Sequence, residues 1–111
     1  MHLRNLTPHP VRIISGQTET LLPAENPTPR VADESTPAGT IQIGTDHIPL
    51  VNVRPLHITD LPAPVPNVGL IVARVVATAR PDRTDLYFPF DFIRDNHNQP
   101  IACRTLARIR L

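Results

Sequence analysis

The side chains of this sequence with the widest chemical reach are its histidines, its single cysteine and its arginines. The histidines are His2, His9, His47, His57 and His97. None forms an i, i+4 pair, a His-x-His pair or a partner to a Cys-x-x-Cys motif, so no metal site and no cofactor is expected. Cys103 could act as a nucleophile with a histidine such as His9. It lacks an adjacent glycine-rich turn or helix N-terminus to stabilise an oxyanion, and a cysteine on a core-facing strand behaves as a small hydrophobe. Ser15 and Ser35 stand outside any Gly-x-Ser-x-Gly setting. The glycines are Gly16, Gly39, Gly44 and Gly69, and their spacing writes no phosphate loop and no dinucleotide fingerprint.

The arginines remain. All 11 basic residues are Arg and none is Lys, while the net charge is only +1. The charge therefore does not call for a nucleic acid polymer or an anionic membrane. A guanidinium fork holds carboxylates and phosphates bidentately, although a coding bias that replaces Lys by Arg gives the same composition. Arg83 lies beside Asp82 and Asp85, and Arg94 beside Asp95. A neighbouring carboxylate can hold a guanidinium in one orientation and so reduce the entropy lost on binding. These residues point to a small anionic, nucleotide-like ligand. Arg83, Arg94, His9, Asn5 and Asp85 are the candidate ligand-binding residues, with Arg104 and Arg108 in reserve. Alternating charges in turns also form local ion pairs and caps, and that reading stays open.

The elements that must position these groups are set by 14 prolines in 111 residues. Proline is tolerated at turns and strand edges and breaks helix interiors. The chain is expected to be one mainly β domain over residues 1–111, a small antiparallel β-sandwich or barrel with at most one short helix. Val11 to Ser15 and Thr18 to Leu22 read as a hairpin around Gly16-Gln17. Residues 23 to 38 read as a loop with a short strand near Val31, and residues 54 to 67 as a second proline-rich connection. Between them, Thr40 to Ile43 and His47 to Val53 flank Gly44-Thr45-Asp46 as a hairpin. The segment from Gly69 reads as a strand that passes into a helical turn over Ala73 to Ala79. Phe90 to Arg94 and Ile101 to Leu111 form the last hairpin. In its second strand, period-2 alternation assigns Ile101, Cys103, Thr105, Ala107, Ile109 and Leu111 to the core face and Arg104 and Arg108 to the other. The aromatics Tyr87, Phe88, Phe90 and Phe92 crowd one stretch and read as a structural anchor.

The opening Asn5-Leu6-Thr7-Pro8-His9-Pro10, followed by Val11-Arg12-Ile13, reads as a turn feeding a strand. It resembles the start of a group of short phage, prophage and actinobacterial proteins that begin Asn-Leu-Thr-Pro-His. The resemblance continues over Val75 to Leu86, then at Pro89, at Ile93-Arg94-Asp95 and from Pro100 to Leu106. It skips the proline-rich middle. Where that group commonly carries glycines, this chain has Asn98 and Ala102. The resemblance implies a phage-related origin and supplies no mechanism.

Together these features suggest a non-catalytic binding protein of phage or mobile-element type, with a small anionic ligand or a host protein as partner. Two alternatives stand beside it: a small enzyme using His9 and Cys103 in a cleft between the Asn5–Pro10 turn and the last hairpin, and an oligomeric virion or structural component. A homo-oligomer is expected because β-rich chains must protect their edges and because Ile109 and Leu111 make the C-terminus apolar. One cysteine permits no intrachain disulfide, and no apolar run reaches signal-peptide or membrane-helix length, which fits a cytoplasmic, non-membrane protein.

Overall fold

The structure is a computed structural model that describes residues 1–110, apart from the side chains at 55 and 56. Its strands are β1 (His2–Asn5), β2 (Val11–Ser15), β3 (Thr18–Leu22), β4 (Arg30–Ile43), β5 (Asp46–Thr59), β6 (Val68–Ile71), β7 (Leu86–Arg94) and β8 (Pro100–Ala107). One short helix, α1 (Arg74–Ala79), follows β6. The protein is mainly β, as its sequence predicts, and falls into two unequal parts.

The first part is a six-stranded sheet in the order β1-β6-β7-β8-β2-β3. The β1–β6, β6–β7 and β2–β8 pairs run parallel, and the β7–β8 and β2–β3 hairpins run antiparallel. The sheet curls until its two outer strands meet, where Asn5 bridges Ala24 just beyond β3. Near-closure of this kind leaves little exposed sheet edge. The β2–β3 hairpin turns at Gly16-Gln17 as expected, with Gly16 at φ 60, the left-handed region that glycine enters without strain. Gly69 has a different role. A Cβ there would lie 2.8 Å from a Leu3 methyl and 2.9 Å from the Tyr87 ring. The missing side chain thus lets neighbours from β1 and β7 close over β6.

The core of this barrel-like body is aliphatic. Leu6, Leu70, Val72, Val76, Ala77, Leu86 and Phe88 pack as one cluster, and Val11, Ile71 and Cys103 as a second. The strand-then-helix reading of residues 69–79 holds, and α1 gives Val76 and Ala77 to the core. The alternation assigned to β8 does not hold along its length. Cys103 is buried, but so is its neighbour Ala102, while Ile101 and Thr105 are exposed. The opposing strand supplies the reason. Asp91 takes φ 57 inside β7, and the pairing register shifts after Ile93, so strict period-2 pleating is lost there. The aromatic stretch divides likewise: Phe88 is buried, and Phe90 and Phe92 stand on the surface. Asn98 takes the left-handed turn conformation, φ 60, that its position requires. Ile109 packs against the core, and Leu111, expected to end the last strand, lies outside the described residues.

The second part is a two-stranded antiparallel ribbon of β4 and β5, 14 residues each. The second half of the expected 23–38 loop and the first part of the 54–67 connection therefore prove to be strand, and residues 60–67 remain a connection. Proline is excluded from sheet interiors because it cannot donate to the ladder. In a two-stranded ribbon, however, each strand has one free edge, and Pro37 sits where the register shifts between Pro37 and Thr40. At about 3.3 Å per residue the ribbon runs about 46 Å. It stretches the molecule to 62 × 39 × 27 Å with a radius of gyration of 18.5 Å, against about 13 Å for a compact chain of this length.

Candidate interaction surface

The ribbon, hereafter the arm, is anchored at its base. Val31 of β4 and Ile58 of β5 pack against the larger core cluster, and α1 touches both strands. Beyond the base its apolar side chains have no cover. Ile41 pairs with Ile48 across the ladder, and Ile43 and Leu50 lie two residues away from them. Because side chains alternate and directly paired residues share a face, these four form one aliphatic face at the tip. Asp46, paired with Ile43, shares that face. Val51 and Val53 lie on the opposite face, lower on the arm. All six aliphatics are exposed, from 40% at Leu50 to 63% at Ile43.

The body carries a second apolar surface. A cleft of about 280 Å³ lies between the Thr7–Arg12 segment and the end of the β7–β8 hairpin. Its walls include Pro10, Pro89, Phe92, Pro100 and Ile101, and Cys103 lies at the bottom. His9 and Arg12 also line it, and no carboxylate does.

The Asn5–Pro10 turn beside this cleft is the seam of the barrel. Asn5 is buried, and its Nδ2 donates to the backbone oxygens of His9 and Leu22, both at 2.9 Å. Its Oδ1 accepts from the Thr7 amide at 3.0 Å. The Thr7 hydroxyl lies 2.6 Å from Asn5 Oδ1 and 2.9 Å from the His9 carbonyl, and its one proton serves one of them at a time. The Glu25 amide donates to the Asn5 carbonyl at 2.7 Å, and Arg4 spans the same seam to Glu25 and Asn26. One amide side chain thus joins β1, the turn and β3. Its hydrogen-bonding capacity is used within the chain.

The other candidate ligand residues are placed as follows. Arg83 is nearly buried and grips Asp85 with two bonds of 2.7 and 2.8 Å, while its Nη2 also donates to the Pro62 carbonyl. The Arg83 hydrogen bond holds the Asp85 carboxyl below the usual carboxylate range, against the opposing effect of burial. Arg94 donates to the Asn98 carbonyl at 3.0 Å and lies over the Phe92 ring, which fastens the β7–β8 turn. Arg83 precedes β7 and Arg94 ends it, so a nine-residue strand of about 26 Å from first to last residue separates them. They do not converge on one site. Arg83 instead lines a shallow cleft of about 330 Å³ with Arg108 and Arg110. Arg104 lies elsewhere, near Asp91 at 3.5 Å.

No protein-family model matches the chain, and no curated protein or solved structure matches it either.

His9 and Cys103 do line one cleft, where a catalytic pair would have to sit. The thiol is buried, and desolvation pushes it up from its ordinary value, against a smaller lowering by a backbone hydrogen bond at Phe90. A thiol raised in this way is a poor nucleophile near neutral pH. Among the described residues no three His, Cys, Asp or Glu side chains gather to hold a metal. Among the described residues no helix is long and apolar enough to cross a membrane. Sequence reasoning did not single out the arm. The signal was present in Ile41, Ile43, Ile48, Leu50, Val51 and Val53, but with no tertiary context these read as an ordinary hairpin.

Proposed function

We propose that this protein is a non-catalytic structural subunit of phage or mobile-element type that assembles with further copies of itself through the arm. The observation that carries this reading is surface area. A compact monomer of 12.3 kDa exposes about 6,100 Å², whereas this chain exposes 8033 Å². The excess of about 1,900 Å² per chain is of the order that stable, obligate interfaces cover. The exposed aliphatics of the arm supply the apolar fraction that such interfaces need. An isolated two-stranded ribbon is marginal in water, so cover from another chain stabilises the arm itself. The resemblance of the Asn5–Ile13 and Val75–Leu86 segments to phage and prophage proteins agrees with a virion or mobile-element component.

Sedimentation velocity on the purified chain at micromolar concentration tests the reading. It expects a discrete species larger than one chain. A single monomeric species across the range overturns it.

A second reading, a site for a small anion such as a nucleotide, is favoured by the cleft shared by Arg83, Arg108 and Arg110. Titration with nucleotides, comparing the natural chain with Arg108→Ala and Arg110→Ala, tests it. Binding no tighter than millimolar, or equal binding by all three proteins, removes it.

A further inference from the structure

We propose that assembly is head-to-tail: the aliphatic tip of the arm of one copy docks in the apolar cleft of the next copy's barrel. This rests on the self-assembly reading and names the two surfaces that meet.

The first argument is complementarity of chemistry. The tip face offers Ile41, Ile43, Ile48 and Leu50, with Asp46 as its one carboxylate. The cleft offers proline, Phe92 and Ile101 walls and no carboxylate in its lining, and its one arginine, Arg12, pairs with Glu19 at 2.9 Å while staying about half exposed. Asp46 forms no salt bridge among the described residues, so it is available to a cation on the neighbouring copy.

The second argument concerns which kinds of contact are blocked. Proline at an edge prevents strand-by-strand addition because it has no N–H to give. The arm carries Pro37 and Pro49 beyond its base, and the cleft is walled by Pro10, Pro89 and Pro100. Both surfaces therefore discourage β-sheet extension and leave side-chain packing as the mode of contact.

The third argument is geometric. The arm is anchored beside α1 and the larger core cluster, whereas the cleft opens over the smaller cluster that contains Val11 and Cys103. Tip and cleft are separate surfaces of one chain, so each subunit uses one toward each of two neighbours. A heterologous contact of this kind generates a ring if its rotation closes and a filament if it does not. The excess area per chain is then shared between a donated arm and an accepted one.

The test is a complementation experiment with two surface variants, Ile43→Asp in the tip and Ile101→Asp in the cleft, each checked for unchanged far-ultraviolet circular dichroism. Phe92→Arg serves as a second cleft variant should Ile101→Asp fail to fold. Head-to-tail docking predicts that each variant alone sediments as a monomer. Mixed one to one, they form a dimer and nothing larger, because only the arm of the cleft variant and the cleft of the arm variant remain intact. If the cleft variants assemble as the natural chain does, head-to-tail docking is wrong and self-assembly through the arm stands. If the natural chain itself is monomeric, the self-assembly reading fails as well.

Discussion

The barrel and the arm are made of the same aliphatic residue types and use them in opposite ways. In the barrel Leu6, Ile71 and Val72 are wholly buried, while in the arm Ile43, Val51 and Val53 keep more than half of their surface in contact with solvent. In the barrel the sheet curls and closes on itself, and Asn5 fastens the seam. In the arm two long strands pair only with each other and, beyond the base, leave both faces open. Alternating aliphatics are therefore a demand for a partner surface, and the topology decides whether the same chain supplies it.

If that contrast is sound, equal truncations have unequal costs. Phe88→Ala removes a buried ring from the larger core cluster and is expected to cost about 3–5 kcal/mol, measured by urea unfolding. A cost near zero would mean that the barrel is not the stable part. Next in size is the seam. Asn5→Ala leaves the Leu22 carbonyl and the Thr7 amide without their Asn5 partner, while the His9 carbonyl keeps the Thr7 hydroxyl, and about 1–3 kcal/mol is lost for a buried polar group left unsatisfied. Asn5→Asp is expected to be no better, because a carboxylate cannot donate to two carbonyls.

The Arg83–Asp85 pair sharpens the contrast through pH. Asp85 titrates below its ordinary value of 3.8 in the folded protein, chiefly because Arg83 donates hydrogen bonds to its carboxylate. Between the folded and ordinary values the unfolded chain binds the extra proton. The pair's contribution is thus fully present above 3.8 and is lost as pH falls through the folded value. Asp85→Asn is expected to flatten that acid limb in a series of unfolding curves, and an unchanged limb would show that the pair does not matter. The smallest effect belongs to the arm. Under conditions where the chain is monomeric, Val53→Ser is expected to change the unfolding free energy by no more than about 0.5 kcal/mol, as exposed substitutions do. A larger loss would mean that the arm is folded onto something within its own chain.

The particular residues explain what could be read in advance. Gly16-Gln17 and Gly44-Thr45-Asp46 marked two of the three hairpin turns because turn geometry is local. The strand-to-helix passage through Gly69–Ala79 was legible from β-branched residues giving way to alanines. The prolines misled. Pro37 was read as part of a loop, whereas a ribbon with solvent on each outer edge tolerates it within a strand, as it does Pro49. The core face of β8 was misjudged because Asp91, on the partner strand, disturbs the pleat. At the candidate sites the chemistry of single residues was visible but their company was not. Arg83 and Arg94 each have the local partners expected of an oriented guanidinium, yet β7 holds them at opposite ends. His9 and Cys103 share a cleft, as the enzyme alternative required, but burial raises the thiol. Closure of a sheet and projection of an arm depend on long-range pairing, which no short window of sequence contains.

The central claim, that the arm exists to be covered by another copy, is tested most directly by amide hydrogen exchange across a dilution series. Barrel amides are expected to keep the same protection at every concentration. Amides of Thr40 to Val53 are expected to be protected when the chain is concentrated and to exchange rapidly when it is dilute, because a lone two-stranded ribbon opens readily. Arm amides whose exchange is independent of concentration, whether slow or fast throughout, would contradict the account.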